Sequence, residues 1–287
     1  MPPKIGAHVS TAGGLYKAFE NARVIGADAI QIFGSSPQQW SVRLPKEEDI
    51  KKFKDAHKAS DNIPVFLHAS YLANLASASE ITRANALQSL TGHLKIAELI
   101  GAEGLIFHIG SGKDQSKEDA MNFVIEGCLK ILKNVPGKSL LILENSSAGG
   151  AKLGATAEEV GAILKKIKSP RAKVCFDTAH AFEAGVIEYD STEKIKKVFD
   201  EWDKAVGLEN IVAIHANDSK TAFGSHNDRH ENLGVGHIGL KGFQNLAQEK
   251  RLWNKVWLLE VPGFDNLGPD KKNVDILRSC FIHKSMI

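Results

Sequence analysis

The sequence predicts an α/β protein, a single-domain (β/α)8 TIM barrel spanning residues 1–287. Three observations carry this. The chain has 287 residues, a length suited to one large barrel of about 250 residues as much as to two ordinary domains. Eight short apolar runs recur at fairly regular intervals. They are continuous rather than alternating, as expected of parallel strands buried on both faces. Helical patterns fill the gaps, and no Ser- or Pro-rich linker divides the chain. A doubly wound open sheet would be expected to show a G-x-G-x-x-G turn after an early strand, and none is present.

The predicted strands cover residues 4–9, 28–33, 63–68, 104–108, 139–144, 173–177, 211–215 and 256–260. Helices are read from apolar residues at i, i+3, i+4, i+7 spacing. Leu15, Ala18, Phe19, Ala22 and Ile25 share one face, as do Leu87, Leu90, Leu94 and Ala97. Val160, Ile163, Leu164 and Ile167 follow Thr156 and Glu159, which have capping-box spacing. Ile195, Val198, Phe199 and Trp202 repeat the pattern. Phe123, Gly127 and Ile131, and Phe243, Leu246 and Ala247, show it more weakly. Val274, Leu277 and Phe281 suit a last helix.

Composition narrows the class. Apolar residues make up 43% and charged residues 24%, which excludes disordered, collagenous and coiled-coil chains. Lys plus Arg is 36 against 34 Asp plus Glu, so charge neither demands nor excludes a polyanionic partner. No signal peptide or membrane span is read, and a reducing cytoplasm is the expected location. There are 11 His against 3 Cys. Cys128, Cys175 and Cys280 are too dispersed for a disulfide framework or a Cys-based zinc cluster. Any metal would be held by imidazole and carboxylate.

The strand ends point to such a site. Six successive predicted strands finish in His68, His108, Glu144, Asp177, His215 and Glu260. In a barrel those ends converge on the face where active sites are built. His180 follows Asp177 by three residues, and Asp228 and His230 lie in the loop after the seventh strand. One buried His or carboxylate at a strand end is ordinarily a hydrogen-bonded structural group. Six in series differ, because ionised carboxylates side by side in a dry cavity would repel and lose solvation unless cations compensated them. Nine ligand types exceed one four-coordinate site, so two or three ions are expected. Zinc or manganese suits this donor set better than magnesium or calcium. Clustered divalent ions clamp phosphate oxygens and activate water, so metal-assisted phosphoester hydrolysis follows without naming the substrate. His8 reads as a supporting residue near the site. His57, His93 and His283 read as solvated or capping residues of helical segments, and His226 and His237 as further loop residues.

The same residues, in this order, resemble the endonuclease IV family of abasic-site DNA repair enzymes over nearly the whole chain. The match runs through Gly6-Ala7-His8-Val9-Ser10, Ser70-Tyr71-Leu72-Ala73-Asn74-Leu75, Glu144-Asn145 and Phe176-Asp177-Thr178-Ala179-His180-Ala181-Phe182. It continues through His215-Ala216-Asn217-Asp218-Ser219-Lys220, Asp228-Arg229-His230-Glu231-Asn232-Leu233-Gly234 and Glu260-Val261-Pro262. The resemblance implies a barrel with three Zn2+ ions, with Mn2+ a possible replacement. His68, His108 and Glu144 would hold one. Glu144, Asp177, His215 and Glu260 would hold a second, and His180, Asp228 and His230 the third. The implied reaction cleaves double-stranded DNA 5′ to abasic sites in base excision repair, leaving a 3′-hydroxyl and a 5′-deoxyribose phosphate. Trimming of blocked 3′ ends belongs to the same repertoire. Glu144 would orient the nucleophile and Glu260 would assist its deprotonation.

Some positions depart from the family pattern. Ala179 stands where a Cys is frequent, and Val261 where the closing motif has Thr. Gln38 stands where related loops can place an Arg for insertion into the DNA stack, which implies altered affinity or lesion discrimination. Tyr71 and Leu72 are the expected wedge, and Lys220, Arg229 and Lys152 the expected phosphate contacts. A monomer is expected, since long DNA must reach the open barrel face. Two alternatives remain: a sugar isomerase or epimerase using Glu144, Asp177, His215 and Glu260 around one ion, and a non-catalytic lesion-binding protein. The first has no need of His68, His108, His180, Asp228 and His230 together. Intact ligands argue against the second.

Overall fold

In the computed structural model, which describes residues 1–282, the eight apolar runs pair side by side into a closed parallel barrel. The strands are β1 (Lys4–His8), β2 (Ala29–Phe33), β3 (Val65–His68), β4 (Gly104–His108), β5 (Leu140–Glu144), β6 (Ala172–Asp177), β7 (Ile211–His215) and β10 (Val256–Leu259). The barrel closes where β1 meets β10, with Lys4 opposite Val256 and Ala7 opposite Leu259. Between β7 and β10 in the chain, β8 (Asp218–Ser219) and β9 (His230–Glu231) form a separate antiparallel hairpin. Predicted and observed strands agree to within two residues, with Glu260 just past the end of β10.

Helices α1 (Lys17–Ile25), α2 (Glu47–Ala59), α3 (Glu80–Ile100), α4 (Lys117–Asn134), α5 (Ala157–Ile167), α6 (Thr178–Glu183), α7 (Thr192–Ala205), α8 (Gly239–Leu246) and α9 (Lys271–Cys280) occupy the connections. Sequence reading placed His57 on a helical segment but found no apolar face for α2, because Phe53 is its one fully buried residue and its remaining surface is mostly Lys, Glu and Asp. It also missed α6, a six-residue turn that begins directly at a strand end. The side chains of Ser79, Ser116, Thr156 and Ser191 each accept an N–H at the start of α3, α4, α5 and α7. Each such cap stabilises its helix by about 1 kcal/mol. The capping box at Thr156 is modified, with the Glu159 carboxylate accepting from the Gly154 N–H at 2.9 Å.

Two apolar layers result. The larger lies between strands and helices and includes Trp257, Trp202, Phe107, Phe176 and Phe199. The smaller consists of Ala29, Phe66, Ile106, Ile142, Cys175, Ala213 and Leu258 with little else. Side chains alternate across a strand. The residues two positions further along these strands therefore face the same barrel interior: Gln31, His68, His108, Glu144, Asp177, His215 and Glu260. On β1 the same register gives Gly6 and then His8. A Cβ at Gly6 would lie 2.5 Å from the Ala29 carbonyl oxygen, so β1 packs its neighbour where any larger residue would collide. The interior is thus an apolar plug beneath a ring of eight polar residues, one per strand.

His283 lies outside the described residues. His93, expected to be solvated or capping, is instead fully buried. One ring nitrogen bonds the Ser89 carbonyl at 2.8 Å and the other Ser35 Oγ at 3.1 Å. It ties α3 to the loop after β2. A polar residue on a helix face reads as exposed unless the loop covering it is known. His57 packs on Phe19 and bonds the Ile63 carbonyl at 2.8 Å.

Candidate metal centre

The ring and the loops above it gather all nine predicted ligand residues at the floor of one cleft. His68, His108 and Glu144 form one group, Glu144, Asp177, His215 and Glu260 a second, and Asp177, His180 and His230 a third. Within each group the donor atoms lie within 4.8 Å of one another. Asp228 joins the third group, its Oδ2 3.2 Å from His180 Nε2 and its Oδ1 3.8 Å from His230 Nε2. Glu144 and Asp177 are each shared by two groups. The first two groups contain the residues the resemblance implies; the third brings Asp177 to His180 and His230, with Asp228 beside them.

Most of the imidazoles are oriented in the same way. His68 donates from Nδ1 to its neighbour's carbonyl at Ala69 (2.9 Å) and turns Nε2 to Glu144 at 3.1 Å. His180 donates from Nδ1 to the Asn145 carbonyl at 2.8 Å, leaving Nε2 toward Asp228. His230 Nδ1 faces the Glu260 carbonyl at 3.4 Å. His215 reverses the pattern. Its Nε2 donates to Gln31 Oε1 at 2.8 Å, so Nδ1 faces Glu144 at 2.9 Å and Glu260 at 3.2 Å. A fixed outer hydrogen bond selects the tautomer that leaves the inner nitrogen free to ligate. The Nε2 atoms of His180 and His230 are buried and have no hydrogen-bond partner. Buried orphan nitrogens are rare unless an ion or water completes them. Nitrogen and oxygen donors without thiolate, arranged with free inner nitrogens, fit divalent transition ions.

The electrostatics agree. Burial alone would raise the Glu144 carboxyl, but His215 and His108 outweigh it and hold it well below the usual carboxylate range. Glu260 is treated likewise by His215, His8 and His68. Burial lowers His180, yet Asp177 and Asp228 raise it well above the ordinary imidazole range.

Residues that sequence reading did not single out hold the candidate ligands in place. Gln31, fully buried, donates from Nε2 to Glu260 Oε1 and lies 3.0 Å from His8 Nδ1. Its signal was available as the one amide in the apolar run of β2, in register with the ligand ring. It was overlooked because it stands two residues before the strand end. Asn217 donates to Asp177 Oδ2 at 2.7 Å and accepts the Glu260 N–H at 2.8 Å. Asn145 accepts the Asp177 N–H at 2.6 Å. Asp177 also caps α6 through the His180 N–H at 2.7 Å, which fixes the spacing between these two ligands. His230 is positioned by the hairpin, opposite Ser219. His8, 3.8 Å from Glu260, takes the supporting place expected of it. His226 and His237 are exposed loop residues.

The cleft has a volume of about 1050 Å³. Tyr71, 67% exposed, and Arg229 line it. Gln38, Leu72 and Lys220 stand outside its wall and are at least partly exposed. The loop of Gln38 is tied to that of Tyr71 by Ser70 Oγ, which donates to the Pro37 carbonyl. Arg229 turns onto its own loop, donating to the Asp228 carbonyl at 2.8 Å.

A family model described as a xylose isomerase-like TIM barrel matches residues 19–280. A probable endonuclease 4 from Halothermothrix orenii is 35% identical over 277 residues, 96% of this chain and 99% of that protein. The crystal structure of endonuclease IV from Thermus thermophilus superposes with a TM-score of 0.85 at 35% identity, covering 97% of this chain and 98% of that one. A D-tagatose 3-epimerase-like protein superposes at 0.71 with 19% identity over 96% of each chain, a likeness of fold alone. Identity of this order over nearly the full length of both chains places the chain in the endonuclease IV family.

Proposed function

We propose that the chain hydrolyses DNA at the phosphodiester 5′ to abasic sites, leaving a 3′-hydroxyl and a 5′-deoxyribose phosphate, and trims blocked 3′ ends. The observation that carries this is the set of three donor groups sharing Glu144 and Asp177 at the floor of an open cleft. A sugar epimerase working around one ion would leave the other donors without a purpose. His68, His108 and Glu144 would hold one Zn2+, and Glu144, Asp177, His215 and Glu260 a second. His180, Asp228 and His230, with Asp177 beside them, would hold a third. Ions bound there would neutralise phosphate oxygens and make water a better nucleophile near neutral pH.

The protein's own groups divide the remaining work. Glu260 lines the cleft and is held by Gln31 and by its own N–H to Asn217, so it can reach a reacting proton. Glu144 is fully buried beneath and does not line the cleft, which suits a bridging and orienting role. A missing base makes extrusion of the abasic sugar less costly than flipping a paired nucleotide. Tyr71, exposed at the cleft wall, would occupy the vacated stack. Leu72 and the uncharged Gln38 flank it, and Arg229 and Lys220 would contact phosphates. The chain would act as a monomer. The test is an end-labelled duplex with one abasic analogue. A single cut 5′ to the lesion with a 3′-hydroxyl is expected, and a product carrying a 3′-phosphate or no cut contradicts the proposal.

A further inference from the structure

The three donor groups are not electrostatically equal. Among the described residues, every ion pair of Glu144, Asp177 and Glu260 is with a histidine. Asp228 alone also faces a lysine: Lys152 Nζ lies 3.7 Å from Asp228 Oδ2, the same oxygen that is 3.2 Å from the orphan Nε2 of His180. The lysine side chain is 38% exposed but tethered. Its Nζ donates to the buried Ser147 Oγ at 2.8 Å. Its backbone is pinned by an antiparallel bridge to Ser111, flanked by Gly112 N–H to Ala151 and Leu153 N–H to Gly110. Lys152 lines both the central cleft and the smaller pocket beside it, together with His108, His180 and Asp228.

We infer that Lys152 is a resident cation that competes with the ion at His180, Asp228 and His230 and makes this the weakest-binding, exchangeable position of the centre. The inference rests on the three-ion reading above. An ammonium tethered 3.7 Å from Asp228 Oδ2 makes no hydrogen bond to it but repels a divalent ion held by the same carboxylate. Asp228 is about one-third exposed, so solvent screens the repulsion. Even at a water-like dielectric, charges of +1 and +2 a few ångströms apart weaken binding by about tenfold. The other two groups have no such competitor among the described residues. Their occupancy would be permanent while the third responds to free metal.

The test is a titration of Zn2+ under a metal buffer into metal-depleted wild type, Lys152→Met and Lys152→Arg, with native mass spectrometry resolving one, two and three ions. Lys152→Met is expected to bind the third ion at least about tenfold more tightly, with the first two unchanged, and Lys152→Arg to match wild type. An unchanged or weaker third affinity in Lys152→Met overturns the inference, as does equal tightening at all positions. A wild-type chain that binds one ion and does not incise contradicts the proposed function and this inference together. Three ions with equal affinities in wild type and Lys152→Met contradict this inference alone.

Discussion

At the residue scale, the centre is governed by which nitrogen of each imidazole is left free. Gln31 is the sharpest case, because its two amide atoms serve two ligands at once: the oxygen accepts from His215 Nε2 and the nitrogen donates to Glu260. Replacing it with Leu keeps the volume roughly constant but removes both bonds and frees His215 to flip. We expect Gln31→Leu to lower metal affinity or activity by about 10–100-fold, the usual cost of losing an outer-shell partner. Zn2+ titration and turnover on an abasic duplex check this, and wild-type values for both would show that His215 needs no orienting partner. Glu260 makes a different prediction. Glu260→Gln retains shape and one of the two side-chain acceptors, but cannot take a proton. Turnover should fall by about 10²–10⁴-fold while the affinity for abasic DNA, read by anisotropy, stays near wild type. Lost binding would instead make Glu260 mainly structural.

At the element scale, strands supply one ring of ligands and loops supply the rest, and the two are anchored differently. His180 is fixed by α6, which starts on Asp177 itself. Asp228 and His230 depend on the segment after β7, and that segment is gathered by Asp218. Its buried carboxylate accepts backbone N–H groups from Ser219, Gly234, Gly236, Ile238 and Gly239 at 2.9–3.3 Å. The Glu183 carboxylate adds Ser219 Oγ at 2.8 Å and the Arg229 N–H at 3.1 Å. Asp218→Ala would leave those N–H groups without an acceptor, a loss of about 3–5 kcal/mol for a buried network. We expect faster amide exchange confined to residues 219–239 and loss of the third ion before the other two. Uniform protection with three ions bound would show that the hairpin holds itself.

This scale also shows what sequence reading can reach. The strands and their terminal ligands were legible because a parallel strand buried on both faces must be apolar, so a His or Glu at its end is conspicuous. The packing face of α2 was not, since one buried Phe leaves no periodic stripe to see. Gln31 was hidden by its place inside a strand and His93 by a loop that sequence does not show covering it. The anchoring role of Asp218 rests on backbone donors far along the chain, as distant as Gly239, which no local pattern encodes.

At the scale of the whole molecule, the near-neutral net charge of +2 omits any bound ions, and the metal-free and metal-loaded proteins should respond oppositely to pH. In the metal-free chain, the folded values of His68, His180 and His215 are raised above the ordinary 6.5. Their contribution is complete below 6.5 and is lost as pH rises through the raised values. The folded values of Glu144 and Glu260 are depressed below 4.5. Their contribution is complete above 4.5 and is lost as pH falls through the depressed values. The joint contribution of these five groups should therefore be greatest between about 4.5 and 6.5 and decline toward alkaline pH, while the buried His8 and His93, whose values are lowered, offset part of it below 6.5. In the metal-loaded protein, protons compete with the ions for the same nitrogens, so stability should rise from about pH 5 to about pH 8. Thermal melts of chelator-treated and zinc-loaded protein across this range check both signs. Parallel profiles would show that the imidazoles are not the metal ligands.

The central claim is that six strand ends, helix α6 and the segment after β7 assemble one centre for several ions, and that this centre cleaves DNA at a lost base. The most direct measurement counts metal per chain by mass spectrometry on the same sample that is given a duplex with one abasic analogue. Close to three zinc ions per chain, or two with a third restored by added zinc, and one incision 5′ to the lesion are predicted. One ion per chain and an intact duplex would contradict the account.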